Sequence, residues 1–346
     1  MAKTLVISLQ GIGNALLALP AAEALRRAGD DVTLLALSPR LRPVLAHAPM
    51  LREIILAGDA RYRGWRGRLR LLTELRRRRF DRAVFSFPSG RNSYRLARLA
   101  GIPQRVGHDY PELGRVARHL TIGVAPLRQG HDLEQNLQLV GLLAPKPDVA
   151  TLWPPLVIPP ELIEKGRQYL DAQKLDPCAR YVGLHTGSDG LWVEKRWPEH
   201  HFARVAEAVY AKYGLPAIVF DGPAEPGSGR RVARAASSPV HALDGWGDLG
   251  DAWGLLAACD LFVSNDSGLM NLAAASGLPT VAVFGPSEAH RTRPFGPRGR
   301  AVITDRPCAP CYGLGRFAGC PHEYDPCLAE IAPERVLAAI DELIGR

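Results

Sequence analysis

The length, composition and charge of the chain limit what it can be. Its 346 residues are enough for two domains of about 150 residues, each able to bury its own core. With 47% hydrophobic and 23% charged residues, the composition is that of an ordinary globular protein and excludes a disordered chain. No run approaches the roughly 18 consecutive apolar residues of a membrane helix, so we expect a soluble, cytoplasmic protein.

Strand-like and helix-like runs alternate through the first half. An apolar run over Lys3–Leu9 leads through Gly11 and Gly13 into an Ala/Leu-rich stretch that ends near Gly29. This pattern predicts a strand, a glycine turn and a helix that Pro20 either kinks or starts late. Further strands are predicted over Asp31–Leu37, Glu53–Leu56, Arg82–Phe87 and Arg105–Gly107. The alternation indicates an α/β domain with a parallel sheet.

A basic segment, Arg61–Arg82, accounts for the charge imbalance of the whole chain. Ten arginines stand there against Glu74 and Asp81, an excess of eight that equals the formal net charge of +8. The segment is either a solvated helix face or a patch for phosphate-bearing lipid, sugar or nucleic acid. We expect it to attract an anionic acceptor and to make peripheral contact with the inner face of the membrane.

The composition changes near Trp153, where four prolines fall within seven residues and are typical of a connector. We therefore expect domains at residues 1–153 and 154–346. The second half repeats the alternation, and its nearly all-apolar strands are typical of a parallel sheet covered on both faces. Strands are predicted over Tyr181–His185, Ala217–Asp221, Leu261–Asn265 and Thr280–Phe284, and helices over Pro198–Tyr213, Asp251–Cys259, Leu269–Ser276 and Ala332–Leu343.

The run Asn265-Asp-Ser-Gly-Leu-Met-Asn271 follows an apolar strand and opens an alanine-rich helix. Backbone N–H groups at such a helix start, together with the helix dipole, form an anion site. In an open α/β sheet, ligands bind at the carboxyl ends of strands, where this turn falls. The alternative is an ordinary N-cap that serves only the helix. The candidate ligand-binding residues of the turn are Asp266, Ser267, Gly268, Leu269 and Asn271.

Two further polar stretches also follow predicted strands. In the first, His185-Thr-Gly-Ser188 precedes Lys195-Arg-Trp-Pro198. A lysine before a helix can place a point charge on a leaving diphosphate, and the hydroxyls of Thr186 and Ser188 can bind phosphate oxygens. In the second, Asp221-Gly222-Pro-Ala-Glu225 offers a carboxylate to the hydroxyls of a nucleotide ribose. A surface lysine and a simple turn are the plainer alternatives.

Taken together, these motifs resemble family 9 glycosyltransferases, the ADP-heptose:lipopolysaccharide heptosyltransferase family. The similarity runs in order along nearly the whole chain, through Gly11-Ile-Gly-Asn-Ala-Leu-Leu-Ala-Leu-Pro20, Lys195-Arg-Trp-Pro198, Asp221-Gly-Pro-Ala-Glu225, and Asn265-Asp-Ser-Gly-Leu-Met-Asn271 continuing to Phe284-Gly-Pro286. The resemblance implies a GT-B fold, in which two Rossmann-like domains have parallel sheets that face a central cleft. It also implies an acceptor-binding N-terminal domain and a nucleotide-sugar-binding C-terminal domain.

The same resemblance implies a reaction and residue roles. The reaction is an inverting transfer of a heptose or similar sugar from an ADP-sugar to an anionic lipopolysaccharide-core or other cell-surface glycan, without a catalytic cofactor. Lys195 is implied to contact the diphosphate or sugar, and Glu225 the ribose. Ser267, Gly268 and Leu269 are implied to give backbone contacts to phosphate.

The chain departs from the family pattern at two positions. Family members usually carry Asp after the second glycine of the first turn, as the proposed general base, whereas this chain has Asn14. Asparagine orients a hydroxyl but does not take its proton, so we expect Asn14 to act in catalysis by orienting the acceptor hydroxyl, and to bind the acceptor together with Gly11 and Gly13. A His that commonly follows the phosphate turn is Asn271 here, which removes a titratable charge.

Another group is therefore expected to act as the base. The first half offers His108, Asp109, His131, Asp132 and Glu134. We select Asp109, because it follows a predicted strand of the domain expected to bind the acceptor.

Four cysteines form a separate signal near the C-terminus. Cys308, Cys311, Cys320 and Cys327 have the spacing C-x2-C-x8-C-x6-C, which in a reducing compartment predicts a closed site for structural zinc or iron. Some relatives that glycosylate bacterial surface proteins resemble this chain in carrying an iron-holding cysteine finger. Free thiols or a redox pair are the alternatives, and isolated Cys178 and Cys259 are predicted to be packing residues.

Three other functions remain as alternatives to the heptosyltransferase hypothesis. Asn14 and Asn271 favour a non-catalytic homologue that only binds nucleotide sugar. A family member that glycosylates protein is the nearest variant. A nucleic-acid binder would explain the arginine run through phosphate contacts, but it would leave the C-terminal motifs unexplained, so nucleic acid is not expected as a partner.

Overall fold

The chain folds into two compact α/β units, Met1–Pro155 and Leu156–Arg346. A computed structural model describes residues 1–86, 91–145, 148–188, 193–222, 226–313, 316–317, 320 and 327–345. The units divide after Pro155, and the sequence placed the division after Trp153. Each unit is built on a six-stranded parallel sheet.

The first unit has a sheet in the order β3-β2-β1-β4-β5-β6. Its strands are β1 (Lys3–Ser8), β2 (Asp31–Ala36), β3 (Glu53–Leu56), β4 (Arg82–Phe85), β5 (Gln104–His108) and β6 (Ile122–Val124). Its helices are α1 (Ile12–Leu17), α2 (Leu19–Arg27), α3 (Arg42–Leu45), α4 (Gly64–Arg78), α5 (Arg91–Leu99) and α6 (Asp132–Val140), with 3-10 turns at Pro39–Leu41, Ala60–Tyr62, Pro111–His119 and Val149–Thr151.

The second unit repeats this plan with the sheet order β12-β11-β10-β7-β8-β9. Its strands are β7 (Tyr181–His185), β8 (Ala217–Phe220), β9 (Val240–Leu243), β10 (Cys259–Asn265), β11 (Thr280–Phe284) and β12 (Gly299–Ile303). A small antiparallel pair, β13 (Tyr312–Gly313) and β14 (Arg316–Phe317), follows. The helices are α7 (Pro160–Ala172), α8 (Glu199–Tyr213), α9 (Ser228–Ala235), α10 (Leu249–Leu256), α11 (Gly268–Ala275), α12 (Ala289–Thr292) and α13 (Pro333–Ile344), with a 3-10 turn at Val193–Lys195.

Both sheets share one topological feature that positions a site. The first strand of each unit pairs with the fourth, β1 with β4 and β7 with β10, so the strand order reverses there. In open α/β sheets, ligands bind beyond the carboxyl ends of the strands at such a switch point. In the second unit the register sets His185, the last residue of β7, opposite Ser264, one residue before the end of β10.

The core of the second unit explains why these strands are nearly all apolar. Val182, Leu184, Leu261 and Val263 are fully buried and pack with side chains of α8 and α13. Trp197, 1% exposed, joins this core and donates from its indole Nε1 to the carbonyl of Ile331 at 2.9 Å. The segment before α8 is therefore held in place both by the burial of the Trp197 ring and by its hydrogen bond.

Pro20 has the effect that the sequence predicted. The helical stretch after the glycine turn divides at Ala18 into α1 and α2, and Pro20 lies in the first turn of α2. The break follows because proline lacks the N–H of a continuous helix but fits a first turn.

Several predicted elements begin or end one to three residues from the observed ones, and two of them are described here. The helix expected over Asp251–Cys259 begins at Leu249, because Asp248 caps it by accepting from the amides of Gly250 and Asp251 at 2.8 and 3.1 Å. It ends at Leu256, and Cys259 instead opens β10. The strand expected to reach Phe87 ends at Phe85, and Phe87 lies outside the described residues.

The two isolated cysteines differ in environment. Cys259 is buried, as expected of a packing residue, whereas Cys178 is exposed, so its predicted packing role is wrong.

Within the described ranges, no helix has both the length and the apolar character needed to cross a membrane.

Candidate functional site

The candidate site of the second unit lies at the carboxyl ends of β7 and β10. Asn265, the last residue of β10, is fully buried. Its side-chain oxygen accepts from the backbone amide of Trp197 at 2.9 Å, and its Nδ2 donates to the carbonyl of Thr186 at 2.6 Å. One amide side chain therefore fastens the turn after β7 and the segment that carries Lys195 to the end of β10. Asn265 is part of the sequence motif, but no local pattern predicts this role for it.

Lys195 is held beside the start of α11. Its ammonium lies 2.9 Å from a carboxylate oxygen of Asp266 and 4.2 Å from the centre of the Tyr312 ring. The side chains of Lys195 and Asp266 are only 10% and 13% exposed. A charge removed from water in this way requires a partner, so Lys195 is a positioned buried cation and not a freely solvated surface lysine.

The turn from β10 into α11 has the features of an anion site. The hydroxyl of Ser267 caps α11 by accepting from the amide of Met270 at 3.1 Å. Gly268 and Leu269 carry the first helix N–H groups, a position that has no acceptor within a helix. Together with the positive end of the helix dipole, these amides favour a negatively charged ligand. The Nδ2 of Asn271 donates to the Ser267 carbonyl at 3.2 Å, so this amide group serves the turn itself.

His185, the last residue of β7, contacts two hydroxyl groups at this turn. Its Nδ1 lies 3.1 Å from the hydroxyl of Ser267 and 3.4 Å from that of Ser264. Burial, with a smaller contribution from the positive charge of Arg196, lowers the pKa of His185 to about 4. The imidazole is therefore neutral at neutral pH, and it orients hydroxyls instead of adding charge to the site.

The turn after β8 is organised by Asp221. Its carboxylate accepts from the amides of Gly227 and Gly229 and from the hydroxyl of Ser228, at 2.9, 2.6 and 2.9 Å. Burial raises the pKa of Asp221, and these donors oppose the rise. The carboxylate thus caps α9. Gly222 follows β8, while Glu225, the expected ribose ligand, lies outside the described residues.

Two further predicted contacts lie beside this turn. The hydroxyl of Thr186 is hydrogen-bonded to that of Ser228 at 2.5 Å. The guanidinium of Arg196 donates to the hydroxyl of Ser188 at 3.4 Å. Thr186 and Ser188 come directly after His185, so both hydroxyls lie in the turn at the carboxyl end of β7.

The first unit places a carboxylate next to Asn14. Asn14 lies in α1, for which Gly11 is the N-terminal flanking residue, and its Nδ2 lies 3.5 Å from a carboxylate oxygen of Asp132. Asp132 begins α6 and is 2% exposed. Asp109, which the sequence favoured as the base, follows β5 and is exposed. The contact with Asn14 joins residues 118 positions apart, a proximity with no local sequence signal.

The four clustered cysteines influence one another but do not form the expected metal site. Burial and the thiols of Cys311, Cys320 and Cys308 raise the pKa of Cys327 to about 11. Among the residues that the structure describes, no group of three or more His, Cys, Asp or Glu side chains is arranged to hold a metal ion.

The basic segment forms α4 and its flanks. Gly67, Leu71 and Leu75 face the interior, whereas Trp65 and Leu69 are 68% and 53% exposed. Since these two are four residues apart, they lie on the same face of the helix. Exposed arginines surround them, namely Arg63, Arg66, Arg68 and Arg70.

Two Rossmann-like units with this strand order define an α/β protein of the GT-B class. The model of glycosyltransferase family 9 (heptosyltransferase) matches residues 68–320 of the chain. The lipopolysaccharide heptosyltransferase 2 of Escherichia coli K12 is 29% identical over 331 residues, which cover 88% of this chain and 87% of that protein. The chain therefore belongs to glycosyltransferase family 9, and its predicted enzyme class, glycosyltransferase, is confirmed.

Solved structures agree with this assignment. The E. coli ADP-heptose lps heptosyltransferase II is 25% identical, with a TM-score of 0.72 over 99% of this chain and 98% of that one. The iron-containing dodecameric glycosyltransferase TibC from enterotoxigenic E. coli H10407 is 14% identical, with a TM-score of 0.54 over 99% of this chain and 76% of that one. At this identity, the likeness to TibC concerns the fold alone.

Proposed function

We propose that this enzyme transfers a heptose or similar sugar from an ADP-sugar donor to an anionic acceptor of the lipopolysaccharide-core type, with inversion at the anomeric carbon. The observation that carries the proposal is the buried Lys195 ammonium, 2.9 Å from a carboxylate oxygen of Asp266, which directly precedes the N-cap residue of α11. Family membership and the similarity to lipopolysaccharide heptosyltransferase 2 support the sugar and the acceptor class.

The donor site follows from this arrangement. In the transfer, an acceptor oxygen bonds to the anomeric carbon, the bond from that carbon to the phosphate oxygen breaks, and ADP leaves with the bonding electrons. Negative charge therefore grows on the diphosphate. Lys195 and the amides of Gly268 and Leu269 stabilise that charge, because fixed donors aimed at developing charge lower the barrier. Neutral His185 keeps the Ser267 hydroxyl oriented.

The remaining donor contacts follow the order of the strands. We assign Thr186 and Ser188 to phosphate oxygens and Glu225 to the ribose hydroxyls. Asp221 and Gly222 shape the turn that presents Glu225, since Asp221 caps α9. Asp266 holds Lys195, and Asn271 braces the phosphate turn.

We assign the acceptor to the first unit, around Gly11, Gly13 and Asn14. Because asparagine does not accept the proton, the base must be a nearby group. Asp132 is our candidate, since its carboxylate lies 3.5 Å from Asn14. Asp109, the group that the sequence favoured, is the comparison residue for this assignment.

We also propose a location and a structural metal. Exposed Trp65 and Leu69 among arginines support peripheral contact with an anionic membrane, at its inner, cytoplasmic face.

Four neighbouring thiols are a donor set suited to zinc or iron, and Cys308, Cys311, Cys320 and Cys327 would hold the ion once deprotonated. A closed four-thiolate site would fold the segment and leave the transfer to the residues above.

The test is a transfer assay with purified protein, ADP-heptose and a lipopolysaccharide core that lacks the heptose. We expect the acceptor to gain the mass of one heptose, and NMR of the product to show an inverted anomeric configuration. UDP- and GDP-sugars serve as controls for the donor. Nucleotide binding without turnover would support the non-catalytic alternative, and a mass gain on protein instead would support a protein acceptor.

A further inference from the structure

The cysteine segment, residues 308–327, is joined to the donor site through the turn that follows β11. The carbonyl of Pro286 accepts from the amides of Cys311 and Tyr312 at 2.9 and 2.7 Å. Ser287 and Tyr312 also form an isolated parallel bridge. The backbone around Tyr312 is therefore fixed to the carboxyl end of β11, next to the end of β10 in the sheet.

The other end of the segment packs against the same turn. Cys327 is buried, and a β-carbon at Gly285 would lie only 2.7 Å from its sulfur and 2.8 Å from Leu328 Cγ. Glycine is required at position 285 because this approach leaves no room for a side chain. Residues 285–287 are thus held by Cys311 and Tyr312 at one end of the segment and by Cys327 at the other.

Tyr312 contacts the cation of the donor site. The Lys195 ammonium lies 4.2 Å from the centre of its ring, within the range in which an aromatic face attracts a cation. The ring differs from Asp266 in one respect, since it holds the ammonium without adding negative charge. A second carboxylate in this place would give Lys195 and its partners a net negative charge, which would repel a diphosphate.

We infer that Tyr312 is a positioning residue for Lys195, and that through it the backbone position of Cys311 and Tyr312 sets the affinity of the site for a nucleotide diphosphate. The inference rests on the proposed function, in which Lys195 meets the diphosphate. It adds a regulatory connection, because the segment that carries Tyr312 also carries thiols that react with metals, oxidants and alkylating agents.

The first experiment is a double-mutant cycle read by calorimetric titration with ADP. Tyr312→Leu removes the ring face at similar volume, and we expect about tenfold weaker binding, the size of a partly buried cation–π contact. Tyr312→Phe keeps the ring and should stay within about twofold of wild type. In a Lys195→Met background, Tyr312→Leu should have no further effect.

The outcomes separate this inference from the function on which it rests. If Lys195→Met leaves ADP binding unchanged, the proposed donor site itself is wrong. If Lys195→Met weakens binding but Tyr312→Leu does not, only the role of Tyr312 is overturned. Equal losses from Tyr312→Leu with and without Lys195, or from Phe and Leu alike, would show general packing and also overturn it.

The second experiment tests the connection to the thiols. Cys308, Cys311 and Cys320 are partly exposed, so iodoacetamide should modify the reduced, metal-free protein there, with Cys178→Ser removing the exposed thiol elsewhere. We expect alkylation to weaken ADP binding several-fold in this background and to have no added effect with Tyr312→Leu. Unchanged ADP binding by the alkylated protein would overturn control by the cysteine segment.

Discussion

The side-chain oxygen of Asn265 accepts a hydrogen bond from the backbone amide of Trp197, 68 residues earlier, at 2.9 Å. This bond joins the end of β10 to the segment before α8, while the Trp197 ring is held in the core. Lys195 lies two residues before Trp197, so its backbone is fixed by this packing, and its ammonium is held by Asp266 and the ring of Tyr312. The pre-set position matters for catalysis, because a fixed cation needs no reorganisation as charge develops.

Replacing Lys195 with alanine should lower kcat by about 100-fold, the loss seen when one transition-state donor is removed. The change also leaves the buried Asp266 carboxylate unpaired, which by itself destabilises the fold. The double variant Lys195→Ala with Asp266→Asn should regain thermal stability while kcat stays low. Lys165→Ala is the matched control, because Lys165 pairs with Asp251 on the surface, with 60% of its side chain exposed. A fall in kcat for the control, or none for Lys195→Ala, would contradict the role.

Below neutral pH, His185 should make the protein less stable. Its folded pKa of about 4 lies below the ordinary 6.5, so between these values the unfolded chain binds a proton that the folded chain does not. The stabilising contribution is complete above pH 6.5 and is lost as the pH falls towards 4, on the order of 3 kcal/mol in total.

Urea unfolding of wild type and His185→Asn at pH 7 and pH 5 measures this contribution. Burial also lowers the pKa of His201 and His241, but these groups contribute equally to both proteins. The stability of the variant should therefore fall less between the two pH values. Parallel losses would show that His185 does not titrate as its burial implies.

The sequence was sufficient to place the motifs but not to show their contacts. Apolar runs bounded by glycine or polar residues predicted β3, β7 and β11 with their observed bounds, because parallel strands are buried on both faces. The strands β6, β9 and β12 were not predicted, since Gly123, His241 and Arg300 interrupt their apolar runs. The ring of Tyr312 on Lys195 depends on tertiary packing, which no local pattern encodes.

The general base can be tested with three variants of the first unit. Asp132→Asn should lower kcat by at least about 100-fold, as expected when a positioned base is lost, whereas Asp109→Asn should leave it nearly unchanged. Asn14→Asp should give no gain, because a second carboxylate 3.5 Å from Asp132 raises the pKa of the pair and keeps one group protonated. The opposite pattern, with kcat lost only in Asp109→Asn, would restore the group that the sequence favoured.

Metal analysis tests the cysteine segment. Protein purified anaerobically and fully reduced should contain about one zinc or iron per chain, and the metal should raise the unfolding temperature. Cys327→Ser should lose both the metal and that increase, whereas Cys178→Ser, an exposed thiol outside the segment, should keep them. Metal-free wild type under these conditions would leave free thiols or a redox pair as the explanation of the cluster.

The exposed face of α4 should bind anionic bilayers. Trp65 and Leu69 offer apolar side chains that enter the interface, and Arg66, Arg68 and Arg70 attract the headgroups, at about 1 kcal/mol per basic residue near the surface. Co-sedimentation with phosphatidylglycerol vesicles should fall at high salt, because screening shortens the reach of the arginines.

Two matched variants separate the apolar and charged contributions. Trp65→Ser with Leu69→Ser should weaken vesicle binding and leave its salt dependence in place, whereas glutamine at the three arginines should remove that dependence. Val157→Ser, at a side chain 83% exposed in the other unit, should change neither. If the serine pair binds vesicles like wild type while the glutamine variant loses binding to vesicles and RNA alike, α4 is a general polyanion surface. Membrane insertion through Trp65 would then be wrong.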